Sequence, residues 1–172
     1  MIQLRCTQTL LKGWNLKPEH LAEIKENTSP LGSWYAHLFT LDRRKTIIFV
    51  NENTLVSFII YGVKKGDTEK LAQSFLLGVA QVLLMLGVTK DKIAQILTEY
   101  RDVEFTESVN SSLLDSLNDL VAYYKKHVQR NGRLKYTDVD TLIYLANKLP
   151  QYQLKWQSSI DYLHQILDMY YK

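Results

Sequence analysis

Period-two alternation opens the chain. In "MIQLRCTQ" the apolar Ile2, Leu4 and Cys6 alternate with Gln3, Arg5 and Thr7, which predicts a first strand. Pro18 in "KPEHLAEIKEN" suits a helix N1 position, and Leu21 with Ile24 form a short apolar stripe, so a brief helix is expected there. "NTSPLGS" (27–33) reads as a loop. Three β-type runs follow: "WYAHLFT" (34–40), "KTIIFVN" (45–51) and "LVSFIIYGV" (55–63). The last two are apolar on both alternating faces, which places them inside a sheet covered on both sides. The polar links Asp42-Arg43-Arg44-Lys45 and "NENT" between these runs predict an antiparallel meander.

The period then changes. Asp67 or Thr68 suits an N-cap, and Leu71, Phe75, Leu76, Val79, Leu83 and Leu86 recur at helical spacing, with Gly87 as a stop. Thr89 caps a second helix through "KDKIAQILTEY". "DVEFTES" (102–108) alternates and predicts a half-buried strand. In "SSLLDSLNDLVAYYKKHV" (111–128), Leu113, Leu117, Leu120, Val121 and Tyr124 share one helical face. Asn131-Gly132 ends that helix. Thr137 with Asp140, and Ser158 with Asp161, fit capping boxes for two more helices. The apolar stripe of the last is Ile160, Leu163, Ile166, Leu167 and Tyr170. The expected fold class is α+β: an antiparallel sheet of about five strands packed with about five or six helices. One domain over residues 1–172 is expected, with 151–172 as a C-terminal helical extension.

Composition narrows the class. A chain of 172 residues buries roughly 70% of the surface its unfolded form exposes, enough for a core without metal or disulfide staples. The single cysteine, Cys6, rules out an intrachain disulfide and a thiolate metal cluster. Together with an N-terminus that reads as a strand and not a signal peptide, it points to the cytoplasm. The most apolar stretch, "FLLGVAQVLLMLGV" (75–88), has 14 residues, too few to span a bilayer. The net charge of +3 permits an anionic partner without demanding one.

Several chemistries find no motif. "GVKKGDT" sits where a phosphate loop would lie, yet Gly62 and Gly66 have three residues between them and Asp67 follows, against the four residues and Lys-Ser/Thr of a P-loop. A plain turn into a helix explains it. His20, His37, His127 and His164 lack metal-ligand spacing. No cofactor motif appears, and Cys6 reads as a small core residue. The reading therefore leans away from an enzyme.

Charge offers more. "YYKKHVQRNGRLKY" (123–136) holds Lys125, Lys126, Arg130, Arg133 and Lys135, with no acid between Asp119 and Asp138 and with tyrosines interleaved. Cations that track phosphates and rings that stack bases are what a nucleic-acid groove uses. Cations favoured by the negative end of a helix dipole explain the same run. Arg43, Arg44 and Lys45 form a second basic cluster at the hairpin. A polar row comprising Ser108, Asn110, Ser112, Asp115, Ser116 and Asp119, with Asn118 at its margin, fits either a cleft or a solvated helix face. Arg5 joins Ser112, Asp115, Asn118 and Asp119 as a candidate polar cleft.

Several stretches together resemble a family. Leu4-Arg5-Cys6-Thr7, Trp34-Tyr35-Ala36, Arg43-Arg44-Lys45, Asn51-Glu52-Asn53-Thr54 and Ser116-Leu117-Asn118-Asp119 occur here in the order of an uncharacterised family of small bacterial proteins, a domain of unknown function. The chain departs from it at Ser111 and Asp115, where Arg and Gly are expected. The resemblance covers about residues 1–125 and implies an intracellular bacterial protein carried on mobile DNA, with no established activity. The leading expectation is a non-enzymatic module, homodimeric, that binds a protein or small molecule, with "YY" at 170–171 as a docking element. Nucleic-acid binding through the two basic clusters is the first alternative. An enzyme with a cleft near Arg5, Asn118 and Asp119 is the second. No membrane partner is expected.

Overall fold

A computed structural model describes residues 1–109 and 111–172, and the side chain of Ser111 is outside the description. Its sheet has five strands: β1 (Ile2–Cys6), β2 (Trp34–Leu41), β3 (Arg44–Asn51), β4 (Ser57–Tyr61) and β5 (Val103–Glu107). Their order is β4-β3-β2-β1-β5. The helices are α1 (Gln8–Trp14), α2 (Thr68–Met85), α3 (Lys90–Glu99), α4 (Ser111–Arg130), α5 (Val139–Ala146) and α6 (Ser159–Tyr170). This is an α+β fold.

The α+β class, the five strands and the six helices are as expected, and the sheet is mixed. β2, β3 and β4 form the antiparallel meander, but β1 runs parallel to both β2 and β5. Residue alternation tells which face a side chain takes, and it is silent on which strand lies alongside. The Leu4–Thr7 and Trp34–Ala36 stretches meet through this pairing: Leu4 faces Trp34, Arg5 faces Tyr35 and Cys6 faces Ala36.

Helices cover both faces. On one, Trp34 touches the rings of Phe58 and Phe75, and its indole N–H donates to the Tyr100 hydroxyl at 2.9 Å. This aromatic cluster joins the sheet to α2 and the end of α3. On the other, the Tyr124 hydroxyl of α4 lies 3.4 Å from that of Ser57. α6 reaches the first layer's helices: His164 bonds the Leu86 carbonyl at 2.8 Å, and the Tyr171 hydroxyl donates to Glu99 at 2.6 Å. Leu163, Leu167 and Tyr171 are buried in the common core.

Three local expectations change. The helix expected near Pro18 is a single 3₁₀ turn, Pro18–His20, and residues 21–27 form an extended strap. The strap is held by tertiary bonds that outweigh helix propensity. The Ala22 N–H donates to the Phe105 carbonyl, and the Gln3 amide bonds both the Glu23 carbonyl and the Lys25 N–H. α5 is capped by Asp138 with the Thr141 N–H, one residue later than Thr137 with Asp140, because the Thr137 hydroxyl is donated to the Arg133 carbonyl. At the C-terminus Tyr170 is exposed and Tyr171 is buried. Helical geometry stops at Tyr170, so Tyr171, in extended conformation, turns inward off the helical period.

Candidate functional site

The β2–β3 hairpin turns through Asp42 and Arg43, with φ of 47° and 64°. Two successive positive φ values between the paired Leu41 and Arg44 define a primed two-residue turn, whose twist matches that of the strands. Asp adopts this region readily, and Arg does so at a cost. The turn puts Arg43, Arg44 and Lys45 in solvent.

Asp42 then ties this tip to the far end of α4. One carboxylate oxygen accepts from Arg133 Nε and the other from the Leu134 N–H, both at 3.0 Å. The Leu134 N–H, and after it the Arg133 side chain, hold the Asp42 carboxyl below its usual range. On the opposite flank the Val63 N–H donates to the Lys45 carbonyl at 3.1 Å, which brings Lys64 and Lys65 alongside. Lys125 reaches over the Phe39 ring at 5.8 Å, and the Lys135 ammonium lies 4.8 Å from the ring of exposed Tyr136. Lys126 and Arg130 stand exposed on the last turns of α4. The two basic clusters, far apart in sequence, thus share one end of the sheet.

Next along β2 is His37. Its Nδ1 lies 2.8 Å from the Thr7 hydroxyl, which also accepts from the Leu10 N–H to cap α1. The Thr7 hydroxyl can give its proton to Nδ1 or accept one from it, so this contact is compatible with either ring tautomer. Burial, and secondarily the Lys125 ammonium, lowers the imidazole pKa.

The polar-cleft residues are not joined. Arg5 is buried, with Nη1 3.2 Å from both the Tyr35 hydroxyl and Glu52, while Nη2 donates to the Lys25 carbonyl at 3.3 Å. Glu52 also accepts from the Ser33 N–H. Arg5 thereby fastens β1, β2, the strap and the β3–β4 turn together. Ser112, Asp115, Asn118 and Asp119 are exposed on α4, and no hydrogen bond or ion pair among the described residues links their side chains to Arg5. Asn110 lies outside the described residues. Arg44 sits at the hairpin tip, at the opposite end of β2 from the Tyr35 level where Arg5 pairs. Cys6 is fully buried, and burial pushes its thiol up to about 12, far from a nucleophile's range. No group of His, Cys, Asp and Glu suited to a metal occurs among the described residues. Among them also, no helix is long and apolar enough to cross a membrane.

Sequence reasoning missed Asn147. It is buried, and its amide bonds both backbone groups of Ser57 on the outer edge of β4. Its only sequence signal is an amide set among apolar residues near a helix end.

These features define a helix-covered mixed-sheet protein with a cationic rim. The chain belongs to the family "Domain of unknown function (DUF6933)", whose model matches residues 3–162. No curated protein matches it. Among solved structures it is similar to a chain in the "CryoEM structure of simian T-cell lymphotropic virus intasome in complex with PP2A regulatory subunit B56 gamma". That likeness has a TM-score of 0.49 at 14% identity and covers 86% of this chain and 60% of the other.

Proposed function

We propose that the protein is a non-enzymatic binding module that holds single-stranded nucleic acid on the basic platform at the hairpin end of the sheet. The observation that carries this reading is the Asp42 clasp. By bonding Arg133 and Leu134 it holds Arg43, Arg44 and Lys45 against the end of α4, so that separate cations act as one surface. A pre-positioned set of cations loses less side-chain freedom on binding than scattered lysines would. Exposed Tyr136 supplies a ring on which a base can stack beside Lys135. A cytoplasmic setting suits this role.

The test is anisotropy of labelled single-stranded DNA and RNA across a salt series, comparing the native chain with Arg44→Glu/Lys135→Glu. Binding should weaken steeply with salt. The double variant should flatten the slope of log K against log salt by about 1.4, two phosphate contacts at ~0.7 each on a single strand. Absence of binding at low salt, or an unchanged slope in a folded double variant, overturns the reading.

A further inference from the structure

β4 is an open edge of the sheet, and its outward backbone groups are only partly used. The Asn147 side chain takes the first pair. Its Oδ1 accepts from the Ser57 N–H at 2.8 Å, and its Nδ2 donates to the Ser57 carbonyl at 2.9 Å. One amide engaging both groups of one residue imitates a neighbouring strand. It also sets parity. Outward-facing residues alternate in an antiparallel ladder, so Ile59 and Tyr61 point their N–H and C=O groups the same way as Ser57. The inward parity agrees, because the Asn51 N–H donates to the Val56 carbonyl. The outward groups of Ile59 and Tyr61 meet no partner among the described residues. Such an edge is a template for an added strand.

A groove of about 530 Å³ runs along this edge. One wall is α2, with Leu77 and Met85; the other is the start of α5, with Asp138 and Asp140. The floor is deepest at Phe58 and Ile59, 3% and 6% exposed, and rises to Tyr61 at 43%, while Leu77 on the rim is 61% exposed. A second copy paired through its own β4 would bring two walls carrying Asp138 and Asp140 onto the same face, where like charges oppose each other, so a single extended segment is the better fit.

Side chains of an added strand would alternate between the two walls. One row meets the apolar Leu77 and Met85. The other meets Asp138 and Asp140, and the Thr141 N–H and hydroxyl hold the Asp138 carboxylate in place at 3.2 and 2.9 Å. We infer that this groove takes, by strand addition beside β4, an extended peptide of another protein that alternates apolar and cationic residues. The inference does not rest on the basic platform, whose Arg44 lies just past the Tyr61 end of the groove, beside Gly62.

The experiment titrates the full ¹⁵N-labelled chain with a short synthetic peptide alternating valine and lysine. Two controls accompany it: the same peptide N-methylated on alternate backbone nitrogens, and a valine–glutamate peptide. The expected result is saturable binding that slows amide exchange at Ile59 and Tyr61 and is lost on N-methylation. Leu77→Ser weakens it, and Asp140→Lys weakens it about tenfold and transfers preference to the valine–glutamate peptide. Both positions are exposed, so these variants keep the fold. The inference is overturned if the valine–lysine peptide fails to bind saturably, or if the N-methylated peptide binds equally. It is equally overturned if both variants bind unchanged, or if Ile59 and Tyr61 are already protected in the free chain by concentration-dependent self-association.

Discussion

His37 shows how one side chain records two environments. Burial is the larger cause of its lowered pKa and Lys125 the second, so replacing Lys125 should recover only part of the shift. The imidazole pKa in Lys125→Gln, followed by NMR titration, is expected to rise yet stay below its ordinary value; an unchanged or lower pKa would count against the assignment. The stability consequence has a definite sign. The folded pKa lies below the unfolded value of about 6.5, so between the two the unfolded chain binds more protons. His37's contribution is therefore complete above that pH and is lost as pH falls toward the folded pKa. Asn147 makes the corresponding point for a neutral group. In Asn147→Ala the Ser57 N–H and C=O lose their partners, and a bond to the Ile143 carbonyl goes with them. Each buried polar group left unsatisfied costs about 1–3 kcal/mol, and water entering from the edge relieves part of it, so a loss of about 2–4 kcal/mol is expected in urea unfolding. A loss under about 1 kcal/mol would mean that Ser57 finds solvent without difficulty.

At the scale of elements, the Asp42 clasp predicts which parts move together. Asp42→Gly should leave the hairpin paired, because glycine tolerates the positive φ of this turn and the β2–β3 ladder does not use the carboxylate. The Leu134 N–H should lose its acceptor, so its amide exchange should accelerate while that of Ile48 in mid-β3 does not. Equal acceleration at both would show that the variant loosens the whole sheet. This element was half legible in sequence. The turn could be read from polar residues between two apolar runs, as could the meander, α2, α3 and α4 with its buried stripe of Leu113, Leu117, Leu120 and Tyr124. What could not be read was contact between remote segments. Asp42 and Arg133 are each ordinary surface residues until the fold sets them 3.0 Å apart. The strap at 21–27 failed for the same reason: Leu21 and Ile24 suggest a helix, and only the position of Gln3 and Phe105 explains why it is extended. Parallel pairing of β1 and the groove beside β4 belong to this class too, since neighbours across a sheet leave no local trace in periodicity.

For the whole molecule, Cys6 is a built-in reporter. β1 lies between β2 and β5, and Cys6 is fully buried with its thiol pushed up to about 12. No local fraying of an edge reaches it, for both flanking strands are in register across it, with Ala36 on one side and Glu107 on the other. Exposure of the sulfur requires lifting the helices off that face of the sheet or separating those strands, either of which opens the common core. Alkylation by iodoacetamide should then proceed only through global opening. The free energy obtained from the labelling rate, under conditions where reclosing outpaces reaction, should equal that from urea unfolding and share its denaturant slope. Labelling with a much smaller slope would mean that the layer around β1 opens without the β2-β3-β4 ladder. The antiparallel meander β2-β3-β4 would then be the more stable unit, and the parallel pairs the weaker part of the fold.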